Sequence, residues 1–310
     1  MIYWCRRKEG LTLMIDTGRL RILHQVSLHG SFSRAATAMG LTASAISQQV
    51  AALERDVGTA VVIRTSKGVT LTAAGRLLVE AAETVTAELA ATRQRIDRLA
   101  GGRTPLRIAT FGSGGRALLP DALTALLAVH PELELTVLER EPEHSLPLVR
   151  DGSADLALTY TLGEPRPLTP GEQRRLIWAP LADDPMYAVL PRRHPLAGRT
   201  RLDLSELAGE RWVLGCLKTE EHLRRYAAGV GVELDVAAAT TDYFFAQALV
   251  RAGVGVSLIP RVALAESAEQ AVVELGPYRL VRHVAAVTTR RAAALPHLVL
   301  LLKLLTGRPG

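Results

Sequence analysis

Residues 41–54 read LTASAISQQVAALE, and their pattern is helical. Ile46, Val50 and Leu53 recur at the i, i+4, i+7 spacing of a stripe facing a core. The opposite side carries Ser44, Ser47, Gln48, Ala51 and Arg55. A solvated helix face is ordinarily crowded with Glu and Lys; this one shows small, hydroxyl and amide groups.

Upstream, Leu20, Leu23, Val26 and Leu28 form a rough helical stripe within residues 15–28, closed by His29-Gly30. Ser31 is placed to cap a second helix, Phe32 to Met39, with Ala35, Ala36 and Met39 inward. Gly40 stops that helix and Thr42 caps the third. Two short helices joined by a tight glycine turn predict a helix-turn-helix, with the later helix as the reader. Downstream, VVIRTSKGVTLT (61–72) places two β-rich runs around TSKG, a hairpin with Arg64 and Lys67 near its tip. That makes the motif winged. Thr72 then caps a long helix from Ala73 to about Ala100. Leu78, Val85, Thr92 and Leu99 are seven apart, as are Ala82, Leu89 and Ile96, a heptad seam that suits a dimer arm. A helix of that length is a rod of about 42 Å. Gly101-Gly102-Arg103-Thr104-Pro105 is a hinge.

The 310 residues are enough for two domains, with a net charge of +6. The excess is localised. Residues 1–103 hold 14 Lys and Arg against 8 Asp and Glu, whereas the remainder holds 23 of each. No acid occurs between Asp16 and Glu54, while Arg19, Arg21 and Arg34 do, a balance suited to a polyanion. Two cysteines, Cys5 and Cys216, cannot build a disulfide framework and point to a reducing compartment. No apolar run approaches the roughly 20 residues that span a bilayer. Residues 1–13 lack a signal-peptide pattern and read as a loose extension.

After the hinge the texture changes. LRIAT, ELTVLE, DLALTY, WVLGC, LDVAA, GVSLIP and HVAAVT are short apolar strands alternating with helical stretches. This predicts an α/β domain of largely parallel sheets, arranged as two lobes around a cleft. FGSGGR (111–116) joins a strand to a helix and leaves backbone N–H groups toward an anion or polar ligand. It is no Walker loop, dinucleotide fingerprint or nucleophile elbow. The histidines show no metal-ligand spacing, so no metal and no cofactor is expected. EPEH (141–144) and Asp183-Asp184 read as solvated loops, and Cys216 as a small buried residue. No catalytic residue is assigned. Two other classes stay open: an enzyme using Cys216 or Lys218, or a solute-binding protein.

The run GSFSRAATAMGLTASAISQQVAALERDVGTAVVIRTSKGVTLTAAGRLL (30–78) resembles the DNA-binding segment of LysR-type transcriptional regulators. It has the Gly-Ser-Phe, the Ala-Ala pair, a helix with Ser-Ala-Ile-Ser (44–47), Leu-Glu at the helix end, a basic wing and Leu-Thr-x-x-Gly. LRIATFGSGGRALLP, DLAL and LVRAGVGVSLIP fall where that family's effector domain has an opening strand, a lobe strand and a late helix-strand turn. Ala43 and Ser44 stand where the family commonly has Gln and Pro.

The resemblance implies an α/β protein: a winged helix-turn-helix (14–71), a dimerising linker helix and hinge (72–104), and an effector domain (105–305) resembling type II periplasmic binding proteins. Lobe I would be 105–162 with 266–305, and lobe II 163–265. It implies a cytoplasmic protein bound to promoter DNA, a homodimer through the linker helix and a homotetramer beyond, with RNA polymerase as a further partner and no membrane. On this reading Ser44, Ser47 and Gln48 approach base edges, since serine and glutamine both donate and accept. Thr42 stands at the helix start; Arg34, Arg64 and Lys67 hold phosphates; Ser33 and Arg55 complete the interface. Ligands bind at strand carboxyl ends, so the small-molecule effector falls to Thr110, Ser113, Thr159, Tyr160, Cys216, Lys218, Thr219 and Thr241. Lys218 and the amides at Ser113 would suit a carboxylate.

Overall fold

The computed structural model describes residues 15–66, 68–99, 103–163, 168–276 and 280–307. The chain divides into two compact units, residues 1–102 with 150–153, and 103–149 with 154–310. The extension 1–13 lies outside the described residues.

The first unit opens with α1 (Thr17–His29), capped by the Asp16 carboxylate, then α2 (Phe32–Met39) and α3 (Ala43–Val57). Each helix ends at a glycine in the left-handed region, Gly30, Gly40 and Gly58. The Thr42 hydroxyl caps α3 by accepting from Ala45 N–H at 3.1 Å. Ser31 does occupy the α2 cap position, but its side chain makes no capping bond there. Ile46, Val50 and Leu53 are fully buried with Leu23, Val26 and Ala35, so the stripe read in 41–54 is the core face. β1 (Val62–Thr65) and β2 (Gly68–Leu71) pair antiparallel as the wing. Val69 N–H donates to Gly30 C=O at 2.9 Å, which ties the wing to the α1–α2 turn. α4 (Ala73–Leu99) follows, with the Thr72 hydroxyl accepting from Gly75 N–H at 3.0 Å.

The second unit runs β3 (Thr104–Thr110), α5 (Gly112–Val129), β4 (Leu133–Glu139), α6 (Pro142–Arg150), β5 (Leu156–Leu162), α7 (Pro170–Arg175) and β6 (Leu176–Pro191). It continues with β7 (Arg201–Leu202), β8 (Arg211–Leu214), α8 (Leu217–Gly229), β9 (Asp235–Ala239), α9 (Tyr243–Arg251) and β10 (Ser257–Pro260). β11 (Gln270–Leu275), β12 (Val281–Thr289) and α10 (Pro296–Thr306) close it. The main sheet has the order β4-β3-β5-β12-β6-β11-β7, with β10 also on β6, while β8 and β9 pair apart.

The sheets are mixed rather than largely parallel. β12 is antiparallel to both β5 and β6, and β6 is antiparallel to β10 and β11. The difference comes from β6, a 16-residue strand that the sequence reading leaves out. Its residues through Pro185 pair with β12, and those from Met186 onward pair with β10 and β11. It therefore belongs to both lobes. Pro180 sits beside an irregularity in the register against β12, and Pro185 sits where the partner strand changes, the two kinds of place a strand tolerates proline. The lobes consequently meet near Pro185 and ahead of Val281, not at 162/163 and 265/266. β11 packs in the second lobe's core through Ala271, Val273 and Leu275. α10 packs in the first lobe's core through Leu298, Leu301 and Leu305, beside Leu106, Ile108, Leu126 and Leu156.

Candidate DNA interface and ligand cleft

The outer face of α3 is built by default: once Ile46, Val50 and Leu53 turn inward, Ser44 and Gln48 must turn outward, and both are exposed. Ser33 and Arg34 are exposed on α2, Thr42 is exposed at the start of α3, and Arg55 is exposed on its last turn. Ser47 differs. It is half-buried, and its hydroxyl accepts from the Arg64 guanidinium at 3.2 Å. Arg64 in turn lies over the Phe32 ring, 4.6 Å from its centroid. The wing arginine is thus held between the first residue of α2 and the middle of α3. Phe32 escapes the sequence reading as a site residue because a stacking role leaves no mark in periodicity. Lys67 lies outside the described residues. Gly68 has φ 133°, and a Cβ there would stand 2.6 Å from Gly30 oxygen, so the close approach of wing to turn requires glycine.

In the second unit a cleft of about 670 Å³ lies between the lobes. Five of the expected residues line it: Thr110, Ser113, Tyr160, Cys216 and Thr241. Thr159 does not; strand alternation turns it to the opposite face of the sheet from Tyr160. Thr219 is buried, and its hydroxyl donates to Cys216 C=O at 2.8 Å within the first turn of α8. The Lys218 side chain lies outside the described residues.

The centre of the cleft is a residue not anticipated from sequence. Arg282 is 1 % exposed, and its Nε and Nη2 donate to one Asp184 oxygen at 2.9 and 2.5 Å. Nη1 and Nη2 also reach Ser113 Oγ at 3.3 and 3.2 Å. The rings of Tyr160, Phe111 and Tyr243 surround the guanidinium, with centroids 4.9, 5.3 and 5.7 Å away. Asp184, expected in a solvated loop, is fully buried; its other oxygen accepts from Val262 N–H at 3.0 Å. Glu141, also expected in a solvated loop, lines the cleft and accepts from the Tyr160 hydroxyl at 3.0 Å. Burial pushes the Tyr160 and Tyr243 phenols up, so both stay neutral donors at physiological pH. At the mouth, Arg116 from α5 lies 3.7 Å over the Phe244 ring of α9, a contact that spans the two lobes.

The FGSGGR glycines serve packing. A Cβ on Gly114 would meet the Phe111 ring at 2.3 Å, and one on Gly112 would come 2.9 Å from a Glu139 oxygen. The start of α5 therefore already has a carboxylate of the chain's own beside it, which favours the helix dipole.

Known proteins match both units. Residues 17–76 match the family model for bacterial regulatory helix-turn-helix proteins of the lysR family, and residues 100–309 match the LysR substrate binding domain. The chain is 30% identical over 258 residues to the hydrogen peroxide-inducible genes activator of Pectobacterium carotovorum subsp. carotovorum, covering 81% of this chain and 82% of that one. It is 32% identical over 256 residues to the probable hydrogen peroxide-inducible genes activator of Mycobacterium avium, covering 79% and 78%. The fold is similar to that of a full-length OxyR variant from Pseudomonas aeruginosa, with TM-score 0.55 at 20% identity over 94% of this chain and 95% of that one. It is also similar to full-length CbnR complexed with its target DNA, with TM-score 0.52 at 20% identity over 94% and 98%. Both domains and most of the chain are thereby accounted for, in place of the enzyme and solute-binding readings: the chain belongs to the LysR family and is a DNA-binding transcriptional regulator with an effector-binding domain.

Proposed function

We propose that α3 reads promoter DNA through Ser44, Ser47 and Gln48, with Thr42 at its start, and that Ser33, Arg34, Arg55, Arg64 and Lys67 contact the flanking backbone. The observation that carries this is the pairing of a fully buried Ile46–Val50–Leu53 stripe with an exposed, uncharged Ser44–Gln48 face on one helix. A helix so faced can approach base edges without repelling phosphates. The units are 14–71, 72–104 and 105–305; the protein acts in the cytoplasm as a dimer through α4 and as a tetramer of such dimers, with RNA polymerase as a partner. The effector is a small molecule held in the cleft by Thr110, Ser113, Tyr160, Cys216 and Thr241 around Arg282. The test is a mobility shift on duplexes from upstream of its own coding region, with single-base variants. Gln48→Ala should lose about 1–3 kcal/mol of discrimination at one base pair, and Arg64→Ala should weaken all sequences alike. Equal loss at every variant site for Gln48→Ala would refute the assignment.

A second reading concerns the effector itself. The relatives are named for induction by hydrogen peroxide, and Cys216 is a free, buried thiol lining the cleft at the start of α8. Peroxide would oxidise the thiolate to a sulfenate, transferring one oxygen and releasing water. The second unit carries no other cysteine, so no disulfide can form within it. Peroxide treatment should then change DNA affinity in the native chain and not in Cys216→Ser; the same change in both would reject this reading.

A further inference from the structure

A second cavity of about 720 Å³ lies on the first lobe, on the face of the sheet opposite Tyr160's ring partner Phe111, and no part of the regulator's described mechanism uses it. Its floor is a row across three strands, Thr159 on β5, Ala285 on β12 and Pro180 on β6, which are register partners. Leu146 of α6 and Trp178 of β6 form walls. Two polar atoms are stranded among them. Thr159 is 1 % exposed and its hydroxyl has no hydrogen-bond partner among the described residues; nor has Trp178 Nε1–H. Buried polar groups are nearly always paired, so two orphans on residues of one cavity point to partners that arrive when the cavity is occupied and its walls adjust.

We infer that this cavity binds an uncharged, flat molecule of one or two fused rings bearing a hydroxyl or carbonyl oxygen. The apolar walls select the rings. The indole N–H can only donate, so the ligand must accept; the threonine hydroxyl can do either. The rim sets the charge. Asp183 stands there with its His283 partner at 2.7 Å, and Glu143 stands on the α6 side, so a carboxylate ligand meets acids. The cleft differs, having Arg116 and Arg282 in its lining. Tyr160 lines both sites, and His283 adjoins Arg282 on β12, so an occupant of one lies beside the residues of the other.

Calorimetric titration of the full-length protein with 1-naphthol and with 1-naphthoate tests this. Saturable 1-naphthol binding is expected, with 1-naphthoate weaker by at least about tenfold. Ala285→Phe, which fills the floor, should weaken 1-naphthol by at least about tenfold, and Thr159→Val, which keeps the side chain's shape, by about threefold or more. Ser113→Trp, which blocks the cleft, should leave 1-naphthol binding unchanged. Absence of saturable 1-naphthol binding, equal affinity for the naphthoate, or loss of binding in Ser113→Trp with retention in Thr159→Val would overturn the proposal. Should Ala285→Phe fail to fold, Thr159→Val and the naphthoate comparison decide.

Discussion

Arg282 and Asp184 show how much one pair of residues can depend on its surroundings. Both are essentially out of water, and the carboxylate's geometry is completed by Val262 N–H and the guanidinium's by Ser113. Removing one partner leaves the other charged and unpaired in a low-dielectric site. Asp184→Ala should therefore destabilise the second unit by about 3–5 kcal/mol, read as a lowered urea midpoint, whereas Asp184→Leu combined with Arg282→Met should recover most of that loss. A double variant as unstable as the single one would contradict the ion-pair account. Gly68→Ala gives a second, local test: with φ at 133° and a carbonyl 2.6 Å from the new Cβ, the wing must shift, and urea unfolding should register a loss of about 1–3 kcal/mol. Legibility at this scale was uneven. Ser44, Gln48 and the buried stripe follow from helical period alone. Asp184 could not be placed, because its partner is 98 residues away and an Asp-Asp-Pro run looks like a loop.

Elements are legible where their own pattern suffices, as in α1 to α3, and less so where a neighbour decides. The heptad positions of α4 illustrate the second case. Leu78 and Ala82 pack into the helix-turn-helix core, so the period there records an internal partner. Leu89 and Ile96, later on the same helix, are 66% and 55% exposed. If a second copy of α4 covers them, burying a carboxylate at each would break the pairing. Leu89→Glu with Ile96→Glu should shift the protein from dimer to monomer in sedimentation equilibrium. Its affinity for a two-half-site operator should fall by at least about tenfold, because two linked half-sites bind with an avidity that one lacks. An unchanged dimer would locate self-association elsewhere. β6 was missed for a related reason: its prolines argue against a strand, and only pairing with β12, β10 and β11 makes them admissible.

Charge divides the whole molecule as folding does. The positive excess falls in residues 1–103, ahead of a remainder whose charges balance. In the second unit many arginines are spent on internal partners, among them Arg107 with Asp155, Arg224 with Glu220 and Arg282 with Asp184. Binding to a duplex should accordingly release counterions through the first unit alone. The plot of log affinity against log salt should be linear and negative, with a slope near −0.9 per phosphate neutralised. Arg34→Ala should make that slope shallower by about 1 and weaken all duplexes together. Gln48→Ala should leave the slope in place and change only the sequence preference. Arg225→Ala serves as the control, since that arginine is well exposed on α8 and lies in the part of the chain whose charges balance. If Arg225→Ala flattened the salt dependence and Arg34→Ala did not, the polyanion would be held by the effector unit, and the exposed face of α3 would need another purpose.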